Sequence, residues 1–100
     1  MENRNIEITD LINAGFENVT NKNEKVFWEK QGIKEYSEWQ LWTPEGDALI
    51  GMRQGVTNNG TLWGVHIDNN VCDSIGSADI STIRQFNLIM EALGVKFRLK

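Results

Sequence analysis

Within "TLWGVHIDNNVCDSIG", residues 61–76, stand the chain's one histidine, His66, and its one cysteine, Cys72, with Asp68 and Asp73 close by. These residue types belong to two chemistries. An imidazole within reach of a thiol makes a nucleophile–base pair. An imidazole beside two carboxylates begins a metal site or a weak hydrolase, which commonly needs three or four protein ligands. The element that carries these residues decides which chemistry survives.

Asn69 and Asn70 suit the positive φ angles of a two-residue type I′ hairpin turn. With that turn, Asp68 pairs with Val71, Ile67 with Cys72, His66 with Asp73 and Val65 with Ser74. Side chains alternate along a strand. Trp63, Val65, Ile67 and Cys72 therefore share one face, and Leu62, His66, Asp68, Val71, Asp73 and Ile75 share the other. This register makes Cys72 a small core hydrophobe and puts the imidazole out of its reach, so no catalytic pair is expected. His66, Asp68 and Asp73 remain as a candidate metal or small-ligand site. Its competitor is a cross-strand pair between His66 and Asp73 worth about 0.2–1 kcal/mol, which a flat sheet face favours. No catalytic residue, metal or cofactor is assigned.

The other candidates are aromatic and acidic. Four tryptophans stand at 28, 39, 42 and 63, and each indole fills a large share of a core. Trp39 and Trp42 are an odd number apart, so on one regular strand they point to opposite faces. One of them is expected to reach the surface, and both are candidates for an interaction surface. Glu35 and Glu38 are a possible carboxylate pair, but nothing places them across a cleft. "GVTNNG", residues 55–60, is flanked by glycine but lacks the lysine and hydroxyl of a phosphate loop, and reads as a hairpin loop. Arg84 is expected on the solvent side of its helix.

The surrounding pattern predicts a helix near residues 9–14, capped by Thr9 or Asp10 and ended by Gly15. "TNKNEK" reads as a loop and "KVFWEK" as a strand. Gln31 and Gly32 suit a turn. "IKEYSEWQLWT" is extended, with a break near Ser37. "TPEGD" is a turn, with Gly46 in a left-handed position, and "ALIGMRQ" is the returning strand. The two strands of the opening hairpin follow. "ADISTIRQFNLIMEALG" is a helix with Ile83, Phe86, Met90 and Leu93 on one face and Ile89 widening it. Asp79 or Ser81 caps it, and Gly94 ends it. "VKFRLK" alternates as a half-buried final strand. The sum is a single α+β domain over residues 1–100. It has an antiparallel sheet of about five or six strands, a short N-terminal helix, and a longer C-terminal helix before a last strand.

The formal net charge is −4 over 100 residues. Residues 1–50 hold ten acids against five bases, and residues 51–100 four against five. That balance argues against direct nucleic-acid binding and leaves two acidic-surface readings: docking of a basic partner, or mimicry of nucleic acid. One cysteine excludes an internal disulfide. No apolar run is long enough to span a membrane and no secretory signal is visible, so a cytoplasmic protein is expected.

The C-terminal third, "HIDNNVCDSIGSADISTIRQFNLIMEALGV", resembles small uncharacterised proteins of bacterial phages and mobile elements. In these an HIDN-type strand leads into "IGS" and a helix of the form "QFNxIMxALG". The resemblance covers residues 60–100 and implies a compact α+β domain, phage- or prophage-encoded, with no activity to carry over. The function expected is that of a non-enzymatic accessory factor with an unknown protein partner, itself a monomer or weak dimer. The alternatives are a small-ligand module at His66, Asp68 and Asp73, and an acidic nucleic-acid mimic.

Overall fold

The computed structural model describes residues 4–46, 48–69 and 74–100, the side chains of 69 and 74–78 excepted. Its elements are α1 (Ile8–Ala14), β1 (Glu17–Asn18), α2 (Lys22–Lys30), β2 (Glu35–Trp42), β3 (Ala48–Thr57), β4 (Gly60–Asn69), β5 (Ser74–Ile80) and α3 (Ile83–Ala92). The strands form one antiparallel sheet in sequence order, β1-β2-β3-β4-β5. This is the expected α+β domain. Among the described residues no helix is long and apolar enough to cross a membrane.

One face of the sheet is closed. Trp39, Ile50, Met52, Trp63, Val65, Ile67 and Ile80 project from it into a core completed by Leu11, Phe16, Ile83, Phe86 and Met90. Each such side chain contributes about 1.5–3 kcal/mol by leaving water. The buried indole of Trp63 donates to the Ile6 carbonyl at 3.1 Å. Trp39 donates to Ser37 Oγ at 2.9 Å, and Ser37 donates to Gln54 Oε1 at 3.0 Å. The polar atoms on this face are thus partnered, as burial requires.

Several local expectations are corrected. "KVFWEK" is not a strand but most of α2. The Asn21 side chain accepts the first-turn amides of Asn23 and Glu24 at 2.9 and 3.1 Å. One turn apart, Trp28 donates to Glu24 at 3.1 Å and Lys25 pairs with Glu29 at 3.3 Å. These bonds between successive turns outweigh the strand preference of Val26 and Phe27. β2 runs through Ser37 unbroken. α1 is capped at Glu7, whose amide donates to the Asp10 carboxylate at 2.8 Å, rather than at Thr9 or Asp10. Asp79 lies in β5, and α3 is capped by Thr82 in a reciprocal box with Gln85.

Two hairpins also differ. β3 continues through Gly55, Val56 and Thr57, so "GVTNNG" is mostly strand and only Asn58 and Asn59 turn. Thr57 Oγ1 accepts the Asn59 amide at 3.1 Å, and Gly60 takes φ 118°. Farther on, Asn69 pairs with Ser74, Ile67 with Gly76 and His66 with Ser77. The register has slid by four residues, an even number, so every residue of β4 keeps its expected face while the His66 and Asp73 pairing is lost. Val71, Cys72 and Asp73 lie outside the described residues, and with them the core placement of the thiol.

"VKFRLK" keeps its alternation: Val95 and Leu99 are buried, Phe97 is half-buried, and Lys96, Arg98 and Lys100 are exposed. It forms no strand. Its backbone is held by side chains instead. Asn87 accepts the Leu99 amide at 2.8 Å and donates to its carbonyl at 2.9 Å. Arg4 donates to the Lys100 carbonyl at 2.7 Å. Arg98 folds back on the Val95 and Phe97 carbonyls. Phe97 then meets Phe16 and Phe86 edge-on, each at 6.1 Å.

Candidate binding trough on the outer sheet face

The second face of the sheet carries four rows of side chains, set by the register across the strands. The first is Tyr36, Gly55 and Leu62; the second Glu38, Arg53, Gly64 and Asp79. The third is Gln40, Gly51 and His66, with Ser77 next in register; the fourth is Trp42, Leu49 and Asp68, with Ile75 next. Three successive rows each hold one glycine, and none of the three has a positive φ. The backbone therefore does not demand them. A glycine inside a strand otherwise marks a place where something approaches closely.

Two of the three are explained within the chain. A Cβ on Gly55 would meet Ile33 at 3.9 Å, and one on Gly64 would meet the Asp79 carboxylate at 3.7 Å. Asp79 thus leans over Gly64 toward Arg53. At Gly51 the nearest atom is the His66 carbonyl oxygen at 3.7 Å, and among the described residues no side chain comes within 4 Å of an added Cβ. The result is a trough of about 420 Å³ whose walls include Val19, Glu38, Gln40, Arg53, His66 and Asp79. An apolar lobe of about 270 Å³ continues from it, bounded by Trp28, Ile33, Tyr36 and Leu62. Arg53, Gly64 and Asp79 border both.

α2 and the turn after it build the lobe. Trp28 stacks on Tyr36 with ring centres 6.2 Å apart, and Phe27 meets Trp28 edge-on at 5.2 Å. Gly32, at φ 100°, lets the chain double back so that Ile33 covers Gly55. The Tyr36 hydroxyl donates to Glu38 Oε2 at 2.8 Å, and the Asn21 amide donates to Glu38 Oε1 at 3.0 Å. Glu38 is therefore a fixed, half-buried negative charge. Burial, and next the bond to Glu38, push the Tyr36 hydroxyl up to about 12; the Arg53 guanidinium beside it works in the opposite direction.

The sequence candidates divide accordingly. Trp39 is buried at 7% exposure, while Trp42 stands 56% exposed on the outer face, one row beyond the trough. Glu35 and Glu38 lie on opposite faces of β2 and do not act together. His66 lines the trough, and Asp68 is exposed one row beyond it. Among the described residues no three His, Cys, Asp or Glu side chains are grouped to hold a metal. Asp73, the third candidate, lies outside them. Arg84 is exposed, as its helix position implies.

No local sequence motif marks Arg53, Asp79 and Tyr36 as site residues, because their rows form only once four strands are paired. The one local signal was alternation: glycine, arginine and glycine at 51, 53 and 55 on one side of a strand. No protein-family model, no curated protein and no solved structure matches the chain.

Proposed function

We propose that this chain is a small non-enzymatic binding module, an accessory factor of the phage and mobile-element kind that its C-terminal third resembles, and that it holds a partner protein on the outer face of its sheet. The observation that supports this reading is the glycine-floored trough, with exposed Trp42 and Leu62 beside it. Glycine inside a strand costs stability relative to a residue with a side chain, and the fold gains nothing from the space above Gly51. Exposed aromatic side chains beside a concave surface are the usual anchors of protein contacts.

Photo-crosslinking in the native cell tests it. A benzoylphenylalanine replacing Trp42 is expected to capture one discrete protein. The same group replacing Arg84, on the exposed side of α3, is expected to capture none. Equal labelling from both positions, or none from position 42, would overturn the proposal.

His66 in the trough wall supports a second reading, a small-ligand or metal module at His66, Asp68 and Asp73. It predicts that a divalent metal shifts the His66 ring resonances and that His66→Ala or Asp73→Ala abolishes the response. An unchanged imidazole spectrum removes it.

A further inference from the structure

We infer that the trough takes an extended basic segment of the partner, with a lysine or arginine seated between Glu38 and Asp79 and an apolar side chain in the lobe beneath α2. This rests on the protein-binding reading above and adds the chemistry of what is bound.

Charge complementarity carries the inference. Glu17, Glu38, Asp68 and Asp79 occupy the outer face by register, and among the described residues paired there Arg53 is the one lysine or arginine, with His66 in the next row. In its own row Arg53 has Glu38 beside it on one strand and, across Gly64, Asp79 on the other side. An anionic ligand reaching Arg53 would meet Glu38 and Asp79, whereas a cation over Gly64 would meet two carboxylates against the single Arg53 guanidinium, a row that is acidic by one charge. Glu38 is already oriented by Tyr36 and Asn21 and needs no rearrangement to accept a further donor. The stacked Trp28 and Tyr36 rings border the adjoining lobe and give an apolar side chain its contact there.

The spacing indicates an extended chain. Successive rows lie two residues apart along the strands, about 6.8 Å. That is also the distance between side chains i and i+2 of an extended segment, which fall on the same side of it. One such side chain in the apolar lobe of the first row leaves the next above the acidic second row. The pattern read is apolar, any residue, basic. The bare floor at Gly51 admits the backbone that follows.

The test is a titration of the ¹⁵N-labelled protein with two blocked peptides, acetyl-Gly-Leu-Gly-Arg-Gly-amide and its Glu analogue. The Arg peptide is expected to shift the amides of Gly51, Arg53, Gly55, Gly64 and His66, and the Glu peptide to leave them in place. Asp79→Asn and Glu38→Gln should each weaken binding about five- to tenfold. Gly51→Val should remove it while the protein stays folded, and Glu91→Gln, on α3, should change nothing. Equal or tighter binding of the Glu peptide, or insensitivity to Asp79→Asn, would overturn the inference. If neither peptide binds while the crosslink from position 42 still forms, the charge assignment fails alone. If the crosslink is also lost, both readings fail.

Discussion

The two faces of this sheet are built from the same strands and obey opposite rules. On the inner face, residues 39, 50, 52, 63, 65 and 67 are all apolar and all buried, and the polar groups among them are partnered. On the outer face the alternating positions hold charges, glycines and exposed apolar side chains. The inner face follows the burial of apolar area and close packing. The outer face gains little from either. What it has instead is a fixed carboxylate at Glu38, an aromatic lobe and unfilled space. Residues not required for stability are where a binding surface has room to differ.

The largest effect that separates the faces comes from their tryptophans. Trp63→Ala on the inner face should cost about 3–5 kcal/mol, through lost burial and a residual cavity. Trp42→Ala on the outer face should stay within about 0.5 kcal/mol. Urea unfolding of the two variants checks this. A large loss at Trp42 would mean that the outer face contributes to the fold and would break the comparison.

The same contrast explains what was readable in the sequence. Inner-face parity was legible because burial repeats with the period of the element: 63, 65 and 67 on β4, and 83, 86 and 90 on α3. The odd spacing of Trp39 and Trp42 correctly divided them between faces. α2 was not legible because none of its residues is buried; it rests on local bonds from Asn21, Glu24 and Lys25, which no hydrophobic period reports. The chain also carries its Asn-Asn turn signal twice, at 58–59 and at 69–70. The first pair forms a two-residue turn, helped by the Thr57 hydroxyl, whereas Asn69 pairs with Ser74 and Asn70 lies outside the described residues. A candidate site assembled from Glu38, Arg53, Gly64 and Asp79 has one residue from each of four strands. Local spacing cannot reveal such a row.

A smaller effect tests how the inner face is sealed. The chain after α3 covers the core without joining the sheet, and Asn87 makes both hydrogen bonds to Leu99. Asn87→Ala leaves that amide and carbonyl unpaired at the edge of the core and should cost about 1–3 kcal/mol. Hydrogen exchange should accelerate at Leu99 before it does so in β3 or β4. Unchanged exchange there would show that Val95, Phe97 and Leu99 hold the segment by packing alone.

Helix α1, which packs Leu11 into the inner-face core, and the outer face respond at opposite ends of the pH scale. The bidentate bond from Arg4, at 2.9 and 2.7 Å, and then the Glu7 amide hold Asp10 below its ordinary value against the opposing effect of burial. A depressed carboxyl stabilises the fold above the unfolded value of about 3.9, and this is lost as pH falls through the lower folded value. Asp10→Ala should cost about 0.5–2 kcal/mol near neutrality, with the gap to the natural protein narrowing in acid. Tyr36 behaves in the reverse sense. Its raised value contributes stability below about pH 10 that is lost as pH rises toward about 12. It is the chain's one tyrosine, so absorbance near 295 nm reads it alone. Glu38→Gln should bring that titration down, because a neutral amide no longer opposes a phenolate.

The smallest change in stability carries the sharpest contrast. At Gly51 the backbone is ordinary strand, and an added Cβ would meet the His66 carbonyl oxygen at an unstrained 3.7 Å. Valine prefers strands and glycine pays entropy there, so Gly51→Val should raise stability by about 0.5–1 kcal/mol. The same two methyl groups would stand on the bare floor of the trough. If the outer face binds a partner, the variant melts higher than the natural protein and loses the crosslink from position 42. Stability then rises as function falls, the trade-off expected where space is kept for a ligand. If the variant melts lower, the glycine is needed by the fold and its presence no longer argues for a site. If it melts higher and still crosslinks, the partner sits elsewhere on the face, and Trp42 without the trough becomes the place to look.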